Sequence, residues 1–443
     1  RTPASQPEVV LAIFAESEGL LDRHGTQRSA HARGMLWRLA GAVVAVAIAA
    51  GLYPSSPEAE LTTSWLKLTV MGRAAPMLYM VCGMRGGEGA GTSIFGGPWR
   101  QCFEGVTMVT LGVATTGEWN GVVSEDVRFE APALGRSPTR ELIVRVYREG
   151  NGSYDPAHPE QRPVLLWLHG GGWAIEHTYS TDYDRTCRAL AAEGGWVVAS
   201  VEYRLAPEHP FPAAVHDAYA ALSWLAAAAA PGSSRAQPLA SADLERLVVG
   251  GDSAGGNLAA VLAVMARDKL DPEGQPAAVE LPVRHQLLVY PATFPPGGAT
   301  ESRRRLRTTA LFLGAGIQDF FLAAYLSSYF GSSPHVAGAG HPFDYSERPP
   351  WITDPRVSPF AAANGHTGLA PATVVLGEAD PLRDEGRLYA DALRAAAVPT
   401  HVLEYRMPHH FFILGHKLAL PETAAAVREA AHAVNQGLRS TIP

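Results

Sequence analysis

Residues Val248–Ala263 read VVGGDSAGGNLAAVLA, which places one serine between an apolar run and a helix-forming run. Gly251 and Gly255 flank Ser253 in a G-x-S-x-G pattern. Small residues at these two positions let the backbone turn sharply and push a serine side chain outward over a sheet. Amides at the start of the following helix favour developing negative charge. The pattern predicts a strand, a tight turn and a helix with Ser253 as nucleophile; a helix-capping serine is the simpler alternative.

Strand-like and helix-like segments alternate on both sides of this motif, which predicts an α/β fold with a mostly parallel eight-stranded sheet flanked by helices. The predicted strands are 126–130, 141–147, 164–168, 196–203, 247–250, 285–290, 373–376 and 401–405, and the predicted helices are 183–193, 213–229, 254–266, 384–397 and 422–436. The alternating run RELIVRVYRE is typical of an edge strand. In such sheets the site lies at the carboxyl ends of the strands.

A nucleophilic serine needs a base, and the base needs a carboxylate that orients it. On this kind of sheet the acid and then the histidine follow the serine along the chain. Asp380 comes directly after an apolar strand in ATVVLGEADPLRDEG and is the predicted acid. Glu378 competes but precedes the turn, and Asp384 competes but is placed to start the next helix, where a carboxylate has a structural role.

The predicted base follows the last strand, where the chain reads VLEYRMPHHFFILG. His409 comes first in the loop and is the predicted base. His410 remains the alternative, since geometry decides which ring reaches Ser253.

Three consecutive glycines follow a buried strand in LLWLHGGGWA, residues 165–174. Glycine lets the backbone approach closely, and acyl transfer needs backbone N–H donors beside the developing oxyanion. Gly170 to Gly172 are predicted to bring bare amides beside Ser253, with the amide of Ala254 completing the set. His169 is predicted to hold this loop by hydrogen bonds rather than to act as a base.

Four motifs in order resemble the hormone-sensitive-lipase-like esterases (bacterial family IV) of the α/β-hydrolase superfamily: HGGGW at 169–173, YRLAPEHPFPAAVHD at 203–217, GGDSAGGN at 250–257 and DPLRDEG at 380–386. The likeness covers about 126–436. It implies a serine carboxylesterase with the triad Ser253, Asp380 and His409 and oxyanion donors Gly171, Gly172 and Ala254. Bulky residues such as Phe321 and Tyr325 in a cap over the site predict a shallow pocket and therefore short- to medium-chain esters. His169, Gly170, Gly251, Asp252 and Gly255 are the supporting motif residues.

The same resemblance implies a helical cap, built from N-terminal helices and an insertion at about 296–350. This chain departs from the family pattern at one point: such enzymes commonly carry His-Gly-Phe where this chain has His409-His410-Phe411. An amidase or deacetylase with the same machinery is the alternative function. A non-catalytic ligand receptor on this fold is less favoured, because His409 is present.

Composition narrows the class of partner. The net charge is −7 and the densest basic run after residue 40 is SRRRLR at 302–307, which argues against nucleic acid. Three cysteines, at 82, 102 and 187, show no metal-type spacing, so neither a metal nor another cofactor is predicted. If the chain is exported, one disulfide is compatible with the sequence, for example between Cys82 and Cys102. A small-molecule ester remains as the expected partner.

Residues 1–104 are predicted to form an N-terminal extension ahead of a catalytic domain at 105–443. Its segment 39–53 is uncharged, with arginines before it and acidic residues after it. That pattern fits a membrane anchor, although fifteen residues fall short of the roughly 20 that span a bilayer, and a capping helix is the equal alternative. The compartment, anchored or exported versus cytoplasmic, and the oligomeric state stay open.

Overall fold

The computed structural model describes residues 121–150, 161–228, 237–296, 299–306, 313–330, 350–408, 410–416 and 420–440. Segment 39–53, Cys82, Cys102 and His409 lie outside these ranges, so the predictions made for them are not addressed by the fold. Cys187 is a buried free thiol.

Eight strands form one sheet, as predicted, in the order β1-β2-β4-β3-β5-β6-β7-β8. Their bounds are β1 Val122–Ala131, β2 Arg140–Glu149, β3 Arg162–Leu168, β4 Val197–Glu202, β5 Ala242–Asp252, β6 Val283–Val289, β7 Ala372–Ala379 and β8 Thr400–Pro408. In this order, the six strands β4, β3, β5, β6, β7 and β8 pair with one another in parallel, and β2 is antiparallel to both β1 and β4. The mostly parallel sheet is therefore confirmed.

The helices of the described ranges are α1 Thr181–Gly194, α2 Ala213–Ala228, α3 Ala254–Asp268, α4 Glu301–Leu306, α5 Ala315–Tyr325, α6 Ser327–Phe330, α7 Arg383–Ala395, α8 Phe411–Leu414 and α9 Pro421–Ser440. The five predicted helices correspond to α1, α2, α3, α7 and α9. Helices α4, α5 and α6 lie in the insertion between β6 and β7, which the sequence placed at about 296–350.

Continuous apolar runs mark the inner strands because helices cover both of their faces. All six residues from Pro163 to Leu168 of β3 are buried, and Leu247 to Asp252 of β5 are buried as well. Burial on both faces fixes the carboxyl ends of these two strands side by side, and the loops that follow them start from that rigid edge.

The edge position predicted for RELIVRVYRE was wrong. This run is β2, and β1 occupies the edge beside it. Its alternation has a different cause: Leu142, Val144 and Val146 are buried while the residues between them are only partly covered. Period-two patterning reports that one face of a strand is exposed, and it does not report whether the strand has two neighbours.

No helix in the described part of the chain is long and apolar enough to cross a membrane. The same ranges contain no group of three or more His, Cys, Asp or Glu side chains that could hold a metal ion.

Candidate active site

Ser253 occupies a strained turn between β5 and α3. Its φ of 54° and ψ of −115° lie outside the regions that non-glycine residues normally adopt. Three backbone hydrogen bonds hold this conformation. The Ser253 amide donates to the Val289 carbonyl at 2.9 Å, and the Ser253 carbonyl accepts from the amides of Asn257 and Ala292 at 3.0 and 3.1 Å. Such strain persists only where the surroundings over-determine it, and it clusters at functional sites.

The two glycines of the motif are required by the space around them. A Cβ on Gly251 would lie 2.4 Å from the Leu168 carbonyl oxygen, and a Cβ on Gly255 would lie 1.9 Å from the same oxygen. Gly255 is also confined by the His169 carbonyl, 2.5 Å from such a Cβ. The serine turn and the end of β3 are therefore in direct backbone contact, which brings the glycine loop against the candidate nucleophile.

His169 is fully buried at the start of that loop. Burial lowers the pKa of His169 to about 3, so the ring is neutral and only a weak base at neutral pH. Its Nδ1 donates to the Gly170 carbonyl at 2.8 Å. Tyr203 stacks on the ring at 4.1 Å between centroids and donates its hydroxyl to the His169 carbonyl at 2.6 Å. These contacts hold the ring and the carbonyl group of His169 at the start of the glycine loop.

Asp252 joins the serine turn to the glycine loop. The Gly170 amide donates to Asp252 Oδ1 at 2.9 Å and to the Tyr183 hydroxyl oxygen at 2.8 Å, while that hydroxyl donates to Asp252 Oδ2 at 3.1 Å. Burial raises the pKa of Asp252 to about 8, an effect that the two hydrogen bonds partly offset. The Gly170 amide is thus occupied by the protein itself.

The next two amides of the loop are placed differently. No group in the described ranges accepts a hydrogen bond from the amides of Gly171, Gly172 or Ala254. Gly171 and Gly172 have φ values of 98° and 59°, which favour glycine. Ala254 is the first residue of α3, where helix amides have no partner within the helix. Such amides can bind an anionic oxygen.

Asp380 follows β7 and is fully buried. Burial raises its pKa to about 7, against the lowering effect of the Leu382 amide, which donates to Oδ1 at 2.7 Å. The competing carboxylates are placed otherwise. Glu378 is exposed within β7, and Asp384 accepts from the Ser302 amide at 2.6 Å in the first turn of α7. Of the three, only Asp380 is a fully buried carboxylate at the strand end.

His410 follows β8 and has a φ of 62°, in the left-handed region. The resemblance places glycine at this position, and the backbone conformation explains why glycine suits it. The His410 ring lies 5.2 Å from the Tyr290 ring, and its charge lowers the pKa of Asp380. His410 therefore lies close enough to Asp380 to interact with it electrostatically.

Several residues around the site were not found by sequence reasoning. Tyr183 and Tyr203 contact the glycine loop, and Asn257 donates from its side-chain amide to the carbonyls of Ala292 and Val357 at 2.7 and 2.8 Å. Tyr203 opens a stretch that the resemblance singled out, and Asn257 closes the serine motif. Tyr183 is an ordinary aromatic residue of α1, and nothing in its local sequence marks it.

Comparison with known proteins places this geometry in a family. A model of the alpha/beta hydrolase fold family matches residues 165–414. Carboxylic ester hydrolase LipN of Mycobacterium tuberculosis (strain H37Rv) is 38% identical over 265 residues, 58% of this chain and 57% of LipN. Carboxylesterase NlhH of the same organism is 32% identical over 71% of this chain and 84% of its own length.

A solved structure supports the same assignment. The hyperthermophilic esterase from the archaeon Pyrobaculum calidifontis superposes with a TM-score of 0.56 at 32% identity, over 76% of this chain and 92% of the esterase chain. The fold, the motif order and these likenesses agree. The chain belongs to the hormone-sensitive-lipase-like carboxylesterases of the α/β-hydrolase superfamily.

Proposed function

We propose that this protein hydrolyses short- to medium-chain carboxylic esters through an acyl-enzyme on Ser253, with His409 as base and Asp380 as the acid that orients it. The observation that carries the proposal is the strained Ser253 turn beside amides that have no acceptor in the described ranges. A strand-to-helix turn of this kind is the setting that the serine nucleophile of an α/β hydrolase requires.

In the first half of the reaction, Ser253 Oγ attacks the ester carbonyl carbon while His409 removes the hydroxyl proton. The carbonyl oxygen becomes an oxyanion and accepts hydrogen bonds from the amides of Gly171, Gly172 and Ala254. The tetrahedral intermediate then expels the alcohol, which takes the proton from His409. In the second half, His409 removes a proton from water, the hydroxide attacks the acyl-enzyme, and the proton returns to Ser253 as the acid departs.

The protein's own hydrogen bonds divide the glycine loop into a holding part and a binding part. Asp252 and Tyr183 take the Gly170 amide, so the loop is fixed before the substrate arrives. Fixed donors need no reorganisation when charge develops, which is the main source of their catalytic effect. The two amides that follow Gly170 remain for the oxyanion.

Asp380 has two properties that suit the acid. Its burial beside the histidine loop strengthens its interaction with an imidazolium, and the Leu382 amide fixes one carboxylate oxygen. His409 is assigned from its place in the His-His-Phe sequence, because the left-handed backbone of His410 matches the position after the base.

Aromatic side chains of the insertion limit the length of the acyl chain. Phe321 of α5 lies so close to Gly172 that a Cβ there would be 2.2 Å from its ring. Trp173 stacks on Tyr325 at 4.3 Å and on Phe294 at 6.0 Å. We expect these rings to form the wall of the acyl pocket. Such a pocket fills after a few methylenes, and a longer acyl chain then gains none of the roughly 0.8 kcal/mol that each buried CH₂ contributes.

The test is a panel of p-nitrophenyl esters from acetate to palmitate with a matched p-nitroanilide alongside. We expect kcat/KM to be greatest between about two and eight carbons, with the anilide slower by orders of magnitude. A rate that still rises at sixteen carbons indicates a lipase. Anilide hydrolysis equal to ester hydrolysis indicates an amidase.

A further inference from the structure

The insertion between β6 and β7 is attached to the loop that carries Asp380 by two adjacent residues, Ser302 and Arg303. The Ser302 hydroxyl donates to the carbonyl of Pro381, the residue after Asp380, at 2.9 Å. The Ser302 amide donates to Asp384 Oδ2 at 2.6 Å, and the Asp384 amide donates back to Ser302 Oγ at 3.2 Å. Three hydrogen bonds thus hold α4 against this loop.

Arg303 adds a buried ion pair beside these bonds. Its guanidinium donates to Glu385 Oε2 at 2.7 Å, and the side chains of the two residues are only 5% and 1% exposed. Glu385 Oε1 accepts from the Thr293 amide at 3.0 Å, and Arg303 also donates to Gln318 Oε1 of α5 at 3.2 Å. The pair therefore links two helices of the insertion to α7 and to the segment after β6.

Burying a guanidinium is costly, so its surroundings must supply negative charge. Glu385 is one such charge and Asp380 is a second. Burial raises the pKa of both carboxyl groups, and the charge of Arg303 opposes that rise in each. The two carboxylates also disfavour each other's ionisation, since Asp380 raises the pKa of Glu385. Among the residues that the structure describes, Arg383 of α7, His410 after β8 and the buried hydroxyl of Tyr290 after β6 also interact electrostatically with Asp380.

We propose that Arg303 is a positioning residue for the hydrolytic reaction: anchored by Glu385, it ties the insertion to the Asp380 loop and places a buried positive charge beside that loop. This inference rests on the proposed function, in which Asp380 orients His409. It makes the insertion part of the acid's support as well as a wall of the substrate pocket.

Two neutral variants of the full chain test the role of charge, with p-nitrophenyl acetate as substrate and the pH profile of kcat/KM as readout. Arg303→Gln leaves Asp380 harder to ionise. We therefore expect the acid limb of the profile, the pH range in which kcat/KM rises, to move to higher pH by about half a unit or more. We expect kcat to fall by about 10-fold to 100-fold with KM nearly unchanged. Glu385→Gln removes a competing negative charge while Arg303 stays, so its acid limb moves to lower pH.

The controls separate charge from packing. Arg303→Lys keeps the positive charge and should keep the acid limb of the parent, whatever it loses in stability. Arg304→Gln changes the next side chain, which is 61% exposed and pairs with Glu301, and should match the parent in both kcat and pH profile. If Arg303→Gln does not fold, the double variant Arg303→Gln/Glu385→Gln removes both buried charges and tests the inference. Its acid limb should lie at higher pH than that of Glu385→Gln, and equal acid limbs would overturn the inference.

Parent-like profiles for Arg303→Gln and Glu385→Gln overturn the inference, as do shifts of the same sign in both. Asp380→Asn separates this outcome from failure of the proposed function. An inactive Asp380→Asn beside an unaffected Arg303→Gln refutes the role of Arg303 alone, whereas a fully active Asp380→Asn refutes the assignment of Asp380 and the inference with it.

Discussion

Gly255→Ala is the perturbation that the backbone contact at the serine turn predicts most sharply. The added methyl would lie 1.9 Å from the Leu168 carbonyl oxygen and 2.5 Å from the His169 carbonyl oxygen. Both atoms belong to backbone, one of them to a fully buried strand, so no side chain can rotate away. Reaching an ordinary contact of about 3.4 Å requires the turn and the loop to separate by about 1.5 Å.

That separation moves the Ser253 side chain away from the amides of Gly171 and Gly172. A misplacement of about 1 Å in a catalytic array can cost about 100-fold in rate, and overpacking a core costs about 1–3 kcal/mol of stability. We therefore expect kcat/KM for p-nitrophenyl butyrate to fall by two orders of magnitude or more. The free energy of unfolding, measured in urea, should fall by about 1–3 kcal/mol.

Gly256→Ala is the matched control. It adds the same methyl one residue further along the same helix, where the nearest atoms are the Pro291 Cβ at 3.0 Å and the Gly251 carbonyl oxygen and Pro291 Cα at 3.1 Å. These contacts need shifts of only a few tenths of an ångström, so we expect most of the activity to survive. Equal activity of the two variants, or a parent-like Gly255→Ala, would refute the claim that close contact at Gly255 sets the geometry of the site.

Three further predictions concern the acid, the base and the pocket. Asp380→Asn should lower kcat by about 10⁴-fold. Burial raises the pKa of Asp380 from 3.8 to about 7, so ionisation of this carboxyl group lowers the parent's stability increasingly as pH rises between those values. In urea unfolding, Asp380→Asn should therefore be more stable than the parent at pH 8 but not near pH 3. Glycine suits the left-handed backbone at His410, so His410→Gly should keep at least about a tenth of the parent activity. The activity of His409→Ala should fall by several orders of magnitude. The reverse ranking would assign the base to His410. Phe321→Ala should shift the preferred acyl chain to greater length in the ester panel, whereas Phe320→Ala, equally buried on the same helix, should leave it unchanged.

Local pattern was enough to predict the sheet and the setting of Ser253, because buried parallel strands and a tight turn each require particular residue types at fixed spacing. The strand ends after β3, β5 and β7 were identified for the same reason, and they carry His169, Asp252 and Asp380. The neighbour order of the strands was not available from such patterns. The position of β2 depends on pairing with β1, a contact that no periodicity encodes.

The support around the site was largely beyond the sequence. Tyr183 meets Asp252 from a helix 69 residues away, and Ser302 meets Asp384 across 82 residues. These contacts depend on how whole elements pack, and the residues involved are common types in unremarkable local settings. In the sequence, the basic run at 302–307 bore only on nucleic-acid binding, and nothing in it marked Arg303 as a residue buried in an ion pair.

Covalent labelling of Ser253 is the measurement that tests the central claim most directly. A fluorophosphonate probe reacts with an activated serine, so the intact parent protein should gain one label and lose its p-nitrophenyl butyrate activity in proportion, with the label located by peptide mass spectrometry on Ser253. Folded Ser253→Ala should take up no label and should retain only about 10⁻⁴ to 10⁻⁶ of the parent rate. Labelling at another serine, or undiminished hydrolysis by Ser253→Ala, would contradict the assignment of Ser253 as the nucleophile.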